Sequence, residues 1–179
     1  ITPDSFSDGG LFFDTDKAVQ QIEKMVEEGV DIVDIGAESS RPGADIVSAE
    51  VEIERLKPIL EICQKRFPDL FVSVDTVKST VAKMSCDYGV SMINDISGLN
   101  TDPEIAAVVS NYSISLAIMH MQGTPQDMQT NPQYKDVFSD VKNFLSKKYK
   151  ETEEAGNNRQ SINLDAGIGF GKSLEHNLT

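Results

Sequence analysis

The chain alternates between short apolar runs and helical stretches, and a polar cluster follows each run. The five apolar runs span residues 30–35, 70–74, 91–93, 114–119 and 162–164. They are rich in Ile and Val and hold few internal polar residues, which is typical of strands covered on both faces. Strands that alternate with helices form right-handed βαβ units, so the pattern predicts a parallel α/β sheet.

Polar residues collect where each predicted strand ends. They include Glu38–Arg41, Asp75, Asn94, His120 and Asp165. An α/β barrel builds its active site from the carboxyl ends of consecutive strands, whereas a flavodoxin-like sheet binds ligands at one switch point. Five polar strand ends therefore favour a (β/α)8 TIM barrel over that alternative. A complete barrel needs about 250 residues, so we expect 179 residues to hold about the first six β/α units. We expect one domain, 1–179, incomplete at both ends.

Helix boundaries follow from capping residues and glycines. The first helix should start at Asp14-Thr15 and stop at Gly29, and Ser48 should cap the second. Thr76 should open the third, which ends at Gly89. The fourth should begin at Asp102-Pro103, with Pro at the first helical position, and run to about residue 111. The fifth should span about residues 134–155.

Charge and cysteine usage exclude some classes of partner. The net charge is -13, from 16 Lys+Arg against 29 Asp+Glu, which disfavours nucleic acid and anionic membranes. Cys63 and Cys86 form no CxxC pattern, and no long apolar run is present. A reduced, cytoplasmic protein is expected.

Three polar residues that directly follow strands are the main binding candidates: Asp75, Asn94 and Asp165. A carboxylate can accept two N–H bonds from an amino-substituted heterocycle, and an amide can serve a neighbouring donor–acceptor pair. One such residue is often a helix cap, but three at one barrel mouth indicate a ligand pocket. Asp34 lies within an apolar strand, so it should belong to a polar network or line that pocket.

Two polar loops add further candidates. The first, Thr2–Gly10, is either an ordinary surface loop or a lid that excludes water, with Phe6 as cover and Asp8 as a charge over the substrate. In the second, Arg41 offers donors suited to phosphate or carboxylate. Its alternative is a solvated side chain paired with Glu38.

The glycine-rich segment Gly167–Ser173 resembles a P-loop only superficially, because Ala166 stands where that motif needs Gly. Its glycines let backbone approach a planar ligand, and Phe170 could stack on it. His120 and His176 are the only histidines, and their spacing does not indicate a zinc site.

Taken together, these segments resemble the dihydropteroate synthase family of pterin-binding barrels. The resembling stretches are TPDSFSDGG, DIGAESSRPG, SVDT, NDISG, MHMQGTPQDMQ and LDAGIGFGKSLEHN, in order along the whole chain. The family usually has Thr at position 40 and Pro at position 166. Ser40 keeps the hydroxyl, and Ala166 loosens a turn without removing a ligand group.

The resemblance implies a role for each matching residue. Asp75, Asn94 and Asp165 would contact the pterin, and Met119 and Phe170 would form pocket walls. Ser40 and Arg41 would meet diphosphate and p-aminobenzoate. Phe6 and Asp8 would lie on a closing loop, and with Arg41 they are the predicted catalytic residues.

The resemblance also implies the reaction. Such an enzyme is a cytoplasmic, sulfonamide-targeted transferase of folate biosynthesis that condenses dihydropterin-methyl diphosphate with p-aminobenzoate. Its cofactor would be Mg²⁺, held by an Asn upstream of Ile1, so this chain itself should contain no metal ligand. The full-length protein should form a homodimer. The alternatives are a pterin-binding corrinoid methyltransferase domain and a non-catalytic fragment.

Overall fold

A computed structural model describes residues 15–41, 43 and 45–179. Phe6 and Asp8, predicted on the first loop, lie outside these residues. The described part contains six helices and five strands: α1 (Thr15–Glu27), β1 (Ile32–Gly36), α2 (Ala49–Arg66), β2 (Phe71–Asp75), α3 (Ser79–Asp87), β3 (Met92–Asp95), α4 (Glu104–Tyr112), β4 (Ser115–Met119), α5 (Val137–Glu154), β5 (Ile162–Asp165) and α6 (Leu174–Leu178).

The strands form one parallel sheet in the order β1-β2-β3-β4-β5. Each strand therefore pairs with its neighbour in sequence, and a helix covers every crossover. A doubly wound sheet reverses its strand order at a switch point, and the described strands contain no such reversal. The prediction of consecutive barrel units is confirmed: the described residues form five β/α units, preceded by α1.

One face of the sheet forms the hydrophobic core against the helices. Its fully buried strand residues include Val33, Ile35, Val74, Ile93 and Ile118, which alternate along their strands. Because side chains in a strand point alternately to opposite faces, the intervening residues lie on the other face. The polar candidates occupy that second face, which corresponds to the interior of the barrel.

The strands extend further than predicted at their carboxyl ends. Asp75 and Asp165 are the last residues of β2 and β5, and Asn94 lies inside β3. We expected each of these to follow its strand. Ladder pairing with Gly36, Asn94 and Met119 extends the strands over the polar positions, so the candidate side chains stand on rigid backbone.

Most helix boundaries match their capping signals. Ser48 caps α2 by accepting a hydrogen bond from Val51 N, 3.4 Å away. Both cysteines lie in helices, are buried and are free. Among the residues described, no helix is both long and apolar enough to cross a membrane.

The predicted role of Thr76 as the start of α3 is wrong. The helix begins at Ser79, and Thr76 Oγ1 instead donates to Glu52 Oε2 at 3.0 Å. Asp102 takes the capping role predicted for Thr76. Asp102 Oδ2 accepts a hydrogen bond from Ser79 N at 2.8 Å, and Asp102 Oδ1 accepts one from Glu104 N at 3.1 Å. One carboxylate therefore caps both α3 and α4. Pro103 precedes the first residue of α4 rather than occupying it.

Candidate active site

Strand register places Asp75 and Asn94 side by side. Gly36 pairs with Asp75, and Asp75 pairs with Asn94. Neighbouring strands lie about 4.8 Å apart, and directly paired residues point to the same face. The carboxyl and carboxamide groups therefore share the inner face of the sheet, one strand apart.

The same register brings Asp165 to this face. Asn94 pairs with Ala117, and two residues further along β4, Met119 pairs with Asp165. Positions two apart in a strand point the same way, so Asp165 and Met119 lie on the face of Asp75 and Asn94, one step closer to the carboxyl rim. All three polar candidates thus line one side of the sheet at one end.

Asp34 joins these residues in a polar network, as predicted. Asn94 Nδ2 donates to Asp34 Oδ2 over 3.4 Å, which spans β2 between them. The network concentrates negative charge near Asp75. Burial, reinforced by the charges of Asp34, Asp95 and Glu52, raises the pKa of the Asp75 carboxyl to about 8. At neutral pH Asp75 is therefore mainly protonated and can donate a hydrogen bond.

Asp165 differs from Asp75 in its environment. Its side chain is exposed, and its Oδ1 accepts a hydrogen bond from Gly167 N at 2.8 Å. That bond orients the carboxylate across the end of β5. Two carboxyl groups at one rim thus offer different chemistry: Asp165 accepts hydrogen bonds, and protonated Asp75 donates one.

The glycine-rich segment after β5 packs closely on the end of β4. A Cβ on Gly167 would lie 2.0 Å from His120 O, and the residue has a φ of +68°. Only glycine satisfies both conditions without strain. Phe170 N donates a hydrogen bond to Gly167 O at 3.0 Å, which closes a turn in the segment, and Phe170 is partly buried.

The direction of the Lys172 side chain excludes a P-loop in this segment. Its ammonium is directed inward, where it donates to Gly167 O at 2.9 Å, Phe170 O at 3.1 Å and His120 O at 3.2 Å. A P-loop lysine reaches outward to phosphate. The Lys172 side chain is instead buried beneath the rim.

The loop after β1 carries the remaining candidates that the structure describes. Ser40 lines one small cavity together with Asp75, Thr76 and Ile96. Ser40, predicted to meet p-aminobenzoate, therefore lies beside Asp75, which is predicted to contact the pterin ring. Arg41 is exposed, and its backbone N bonds Ser39 Oγ at 3.3 Å.

Glu38, the alternative partner considered for Arg41, forms an ion pair with Lys78 at 2.6 Å. Lys78 also pairs with Glu52, which is 1% exposed. This ion cluster joins the loop after β1 to α2 and to the end of β2.

Sequence reasoning did not single out Lys78, Glu52 or the inward contacts of Lys172. Lys78 and Lys172 each follow a strand end by a few residues, which resembles the position of a substrate-binding cation. Their partners are distant in sequence, at separations of 40 residues for Glu38 and 52 for His120. Only the fold reveals that the positive charges are directed into the protein.

No group of three His, Cys, Asp or Glu side chains suited to a metal ion occurs among the residues described. The side chains that can be inspected therefore do not by themselves form a magnesium site.

Comparison with known proteins agrees with this geometry. The whole chain, residues 1–179, matches the family model described as "Pterin binding enzyme". Dihydropteroate synthase of Haemophilus influenzae is 46% identical over 177 residues, a match that covers 99% of this chain and 64% of that protein.

Solved structures give the same result. The Yersinia pestis dihydropteroate synthase, in complex with a sulfonamide drug, superposes with a TM-score of 0.91 at 40% identity, covering 99% of this chain and 64% of the other. The Xanthomonas albilineans enzyme with 4-aminobenzoic acid gives a TM-score of 0.88 at 38% identity, covering 99% and 62%.

The chain thus spans slightly less than two thirds of the length of these relatives. The match nevertheless extends over all of its own residues. The fold, the polar rim and the family match lead to one conclusion: this chain belongs to the pterin-binding enzyme family.

Proposed function

We propose that the whole protein is a dihydropteroate synthase, which joins p-aminobenzoate to a dihydropterin-methyl diphosphate. The observation that carries the proposal is the placement of Asp75, Asn94 and Asp165 on one face of the sheet at its carboxyl rim. Similarity to synthases, one of them solved with 4-aminobenzoic acid, supports the choice of substrates.

The three side chains are complementary to an amino-substituted ring. The Asp165 carboxylate accepts N–H bonds, and the Asn94 amide serves one donor and one acceptor of the ring. Asp75, protonated because burial raises its pKa to about 8, donates to a ring acceptor. Phe170 and Met119 supply apolar contact for the flat faces.

The reaction is a substitution at the methylene carbon. The C–O bond to diphosphate breaks and the leaving group takes the electron pair. The aromatic amine then forms the C–N bond and loses a proton to solvent. Arg41, exposed on the loop after β1, provides a cation for the departing diphosphate, and Ser40 Oγ donates to the p-aminobenzoate carboxylate.

Phe6, Asp8 and Mg²⁺ complete the proposal on the strength of the family resemblance. Phe6 and Asp8 would cover the reacting carbon while water is excluded. Magnesium would neutralise diphosphate charge. A cytoplasmic homodimer is the proposed state of the full-length protein.

The direct test is diphosphate release by the full-length protein. Incubation with dihydropterin-methyl diphosphate and p-aminobenzoate should release one diphosphate for each dihydropteroate formed, and omission of either substrate should abolish the coupled product. Chelation of Mg²⁺ should reduce the rate. Absence of diphosphate release under all these conditions would refute the proposed activity.

Two other functions give different results in the same experiments. A corrinoid methyltransferase would bind a methylated pterin and release no diphosphate. A non-catalytic protein that binds pterin would show no turnover, and pterin would raise its melting temperature by binding the native state.

A further inference from the structure

We propose that Lys172 is a positioning residue for pterin binding: its buried ammonium fixes the Gly167 peptide that orients Asp165, and the Phe170 carbonyl beside it. The inference rests on the proposed function of the site and extends it to a residue that does not touch the substrate.

The contacts of the ammonium carry the first step. Lys172 Nζ lies 2.9 Å from Gly167 O, 3.1 Å from Phe170 O, 3.2 Å from His120 O and 3.0 Å from His120 Nδ1. Only 5% of the residue is exposed. All four acceptors are neutral, so the charge satisfies backbone carbonyls and an imidazole rather than a carboxylate. Charge-assisted hydrogen bonds of this kind are stronger than neutral ones.

The second step connects these contacts to the ligand-binding carboxylate. Gly167 O accepts from Lys172, and Gly167 N donates to Asp165 Oδ1 at 2.8 Å. Fixing one side of this glycine restricts rotation of the peptides on both sides of it. Without the ammonium, Phe170 N remains the hydrogen-bond donor to Gly167 O. A glycine held by fewer hydrogen bonds samples more backbone conformations, so the Asp165 carboxylate is oriented less strictly.

The third step concerns the neighbouring strand. His120 N donates to Asp165 O at 2.9 Å, while His120 O and Nδ1 face the Lys172 ammonium. The ammonium therefore joins the segments after β4 and β5 at the level of Met119 and Asp165. A site that must hold a planar ring needs its groups fixed to a fraction of an ångström.

The burial of Lys172 also changes the pKa values of Lys172 and His120. Burial lowers the pKa of Lys172 to about 8, although the Asp165 charge opposes that shift. Burial, followed by the Lys172 charge, also lowers the pKa of His120, so its ring is neutral and its Nδ1 can accept. An apolar side chain at this position could not donate to the three carbonyl oxygens that the Lys172 ammonium contacts.

The test compares steady-state kinetics of full-length variants. Lys172→Met should raise the KM for pterin diphosphate about 10-fold or more. This is the change in affinity expected when a hydrogen bond to a charged group is lost. The KM for p-aminobenzoate should stay within about twofold, because the loop after β1 is untouched. A variant that merely lost folded protein would show a lower kcat and unchanged KM values.

Lys147→Met is the matched control, since that side chain is 73% exposed and pairs only at 3.7 Å with Glu151. It should behave as wild type. Lys172→Arg keeps the charge and the donors, so its KM for pterin diphosphate should rise less than that of Lys172→Met. If Lys172→Met does not fold, Lys172→Arg decides: because the longer fork cannot reproduce all four contacts, a KM raised about threefold supports positioning.

An unchanged KM for pterin diphosphate in Lys172→Met, or in Lys172→Arg if Lys172→Met does not fold, would overturn the inference. Equal increases in both KM values would also overturn it. Failure of the proposed function is distinguishable, because wild-type protein would then release no diphosphate in the same assay.

Discussion

Among the residues that the structure describes, Asp75 is the one whose pKa the fold shifts most strongly. Burial comes first among the causes, followed by the charges of Asp34, Asp95 and Glu52, and together they raise its pKa to about 8. Nearby carboxylates and a desolvated site are commonly found where function requires a protonated acid. The cost of this arrangement should appear in the pH dependence of stability.

We predict that stability falls as pH rises from about 4 to about 8 through Asp75. The folded state holds the proton over this range and the unfolded state releases it, so unfolding becomes easier with a slope of up to about 1.4 kcal/mol per pH unit. Urea unfolding of the full-length protein at several pH values measures this slope.

Asp75→Asn, which cannot ionise, is the matched variant. Its stability should depend less on pH than that of the wild type, and the two curves should differ most near pH 8. Parallel curves for the two proteins would show that Asp75 titrates normally.

Gly167 shows how closely the site is packed at residue scale. Gly167→Ala should destabilise the protein by about 2 kcal/mol or more, since strain from a positive φ adds to overpacking, with a Cβ only 2.0 Å from His120 O.

Gly169→Ala provides the comparison within the same segment. Its φ is +84°, yet no atom lies within 4 Å of its added Cβ, so only backbone strain of about 1 kcal/mol is expected. Chemical denaturation of both variants separates crowding from strain, and equal losses would show that crowding at Gly167 is unimportant.

At the scale of elements, the shared cap of α3 and α4 links two neighbouring β/α units. Asp102 accepts from Ser79 N and from Glu104 N, and it is the first residue of neither helix. These helices cover the strands that carry Asp75 and Asn94, so the cap contributes to holding the sheet beneath the site.

Asp102→Ala should lower the free energy of unfolding by about 2 kcal/mol, because two helix caps are lost and each contributes about 1 kcal/mol. Equilibrium urea unfolding provides the measurement. Asp69→Ala, at an exposed turn, should change stability by less than about 0.5 kcal/mol. A loss for Asp102→Ala no larger than that of the control would mean that the two caps contribute nothing.

The elements were largely predictable, and the contacts between them were not. Apolar periodicity located all five strands, and Ser48 and Gly29 marked helix ends, because these are local properties of the chain. Asp102 capping Ser79 and Glu52 bonding Thr76 join positions more than 20 residues apart. The local sequence pattern carries no information on such pairs, so it wrongly predicts that Thr76 begins α3.

In the candidate site, too, the residues were predictable from the sequence and their contacts were not. The side chains were visible in the sequence as polar residues at strand ends, and register places Asp75, Asn94 and Asp165 on one face. The protonation of Asp75 and the inward direction of Lys172 depend on burial and on distant charges. Both properties arise from packing and appear only in three dimensions.

At the scale of the whole molecule, a net charge of -13 would oppose binding of the diphosphate-bearing substrate of the proposed function. Local donors must offset that repulsion, and Arg41 is an exposed cation on the loop after β1. Lys78 and Lys172 contribute little to this, since their charges are directed toward Glu38 and Glu52 or toward carbonyls. Under the proposed function, the uncharged pterin ring would depend mainly on shape and hydrogen bonds.

Calorimetric titration of the full-length protein with a pterin ligand tests the central claim most directly, when wild type is compared with Asp165→Asn. Asp165 lies on the face of Asp75 and Asn94, so replacing its acceptor oxygen with an amide should abolish measurable pterin binding while thermal unfolding stays close to wild type. Wild-type affinity in a folded Asp165→Asn variant would contradict the account.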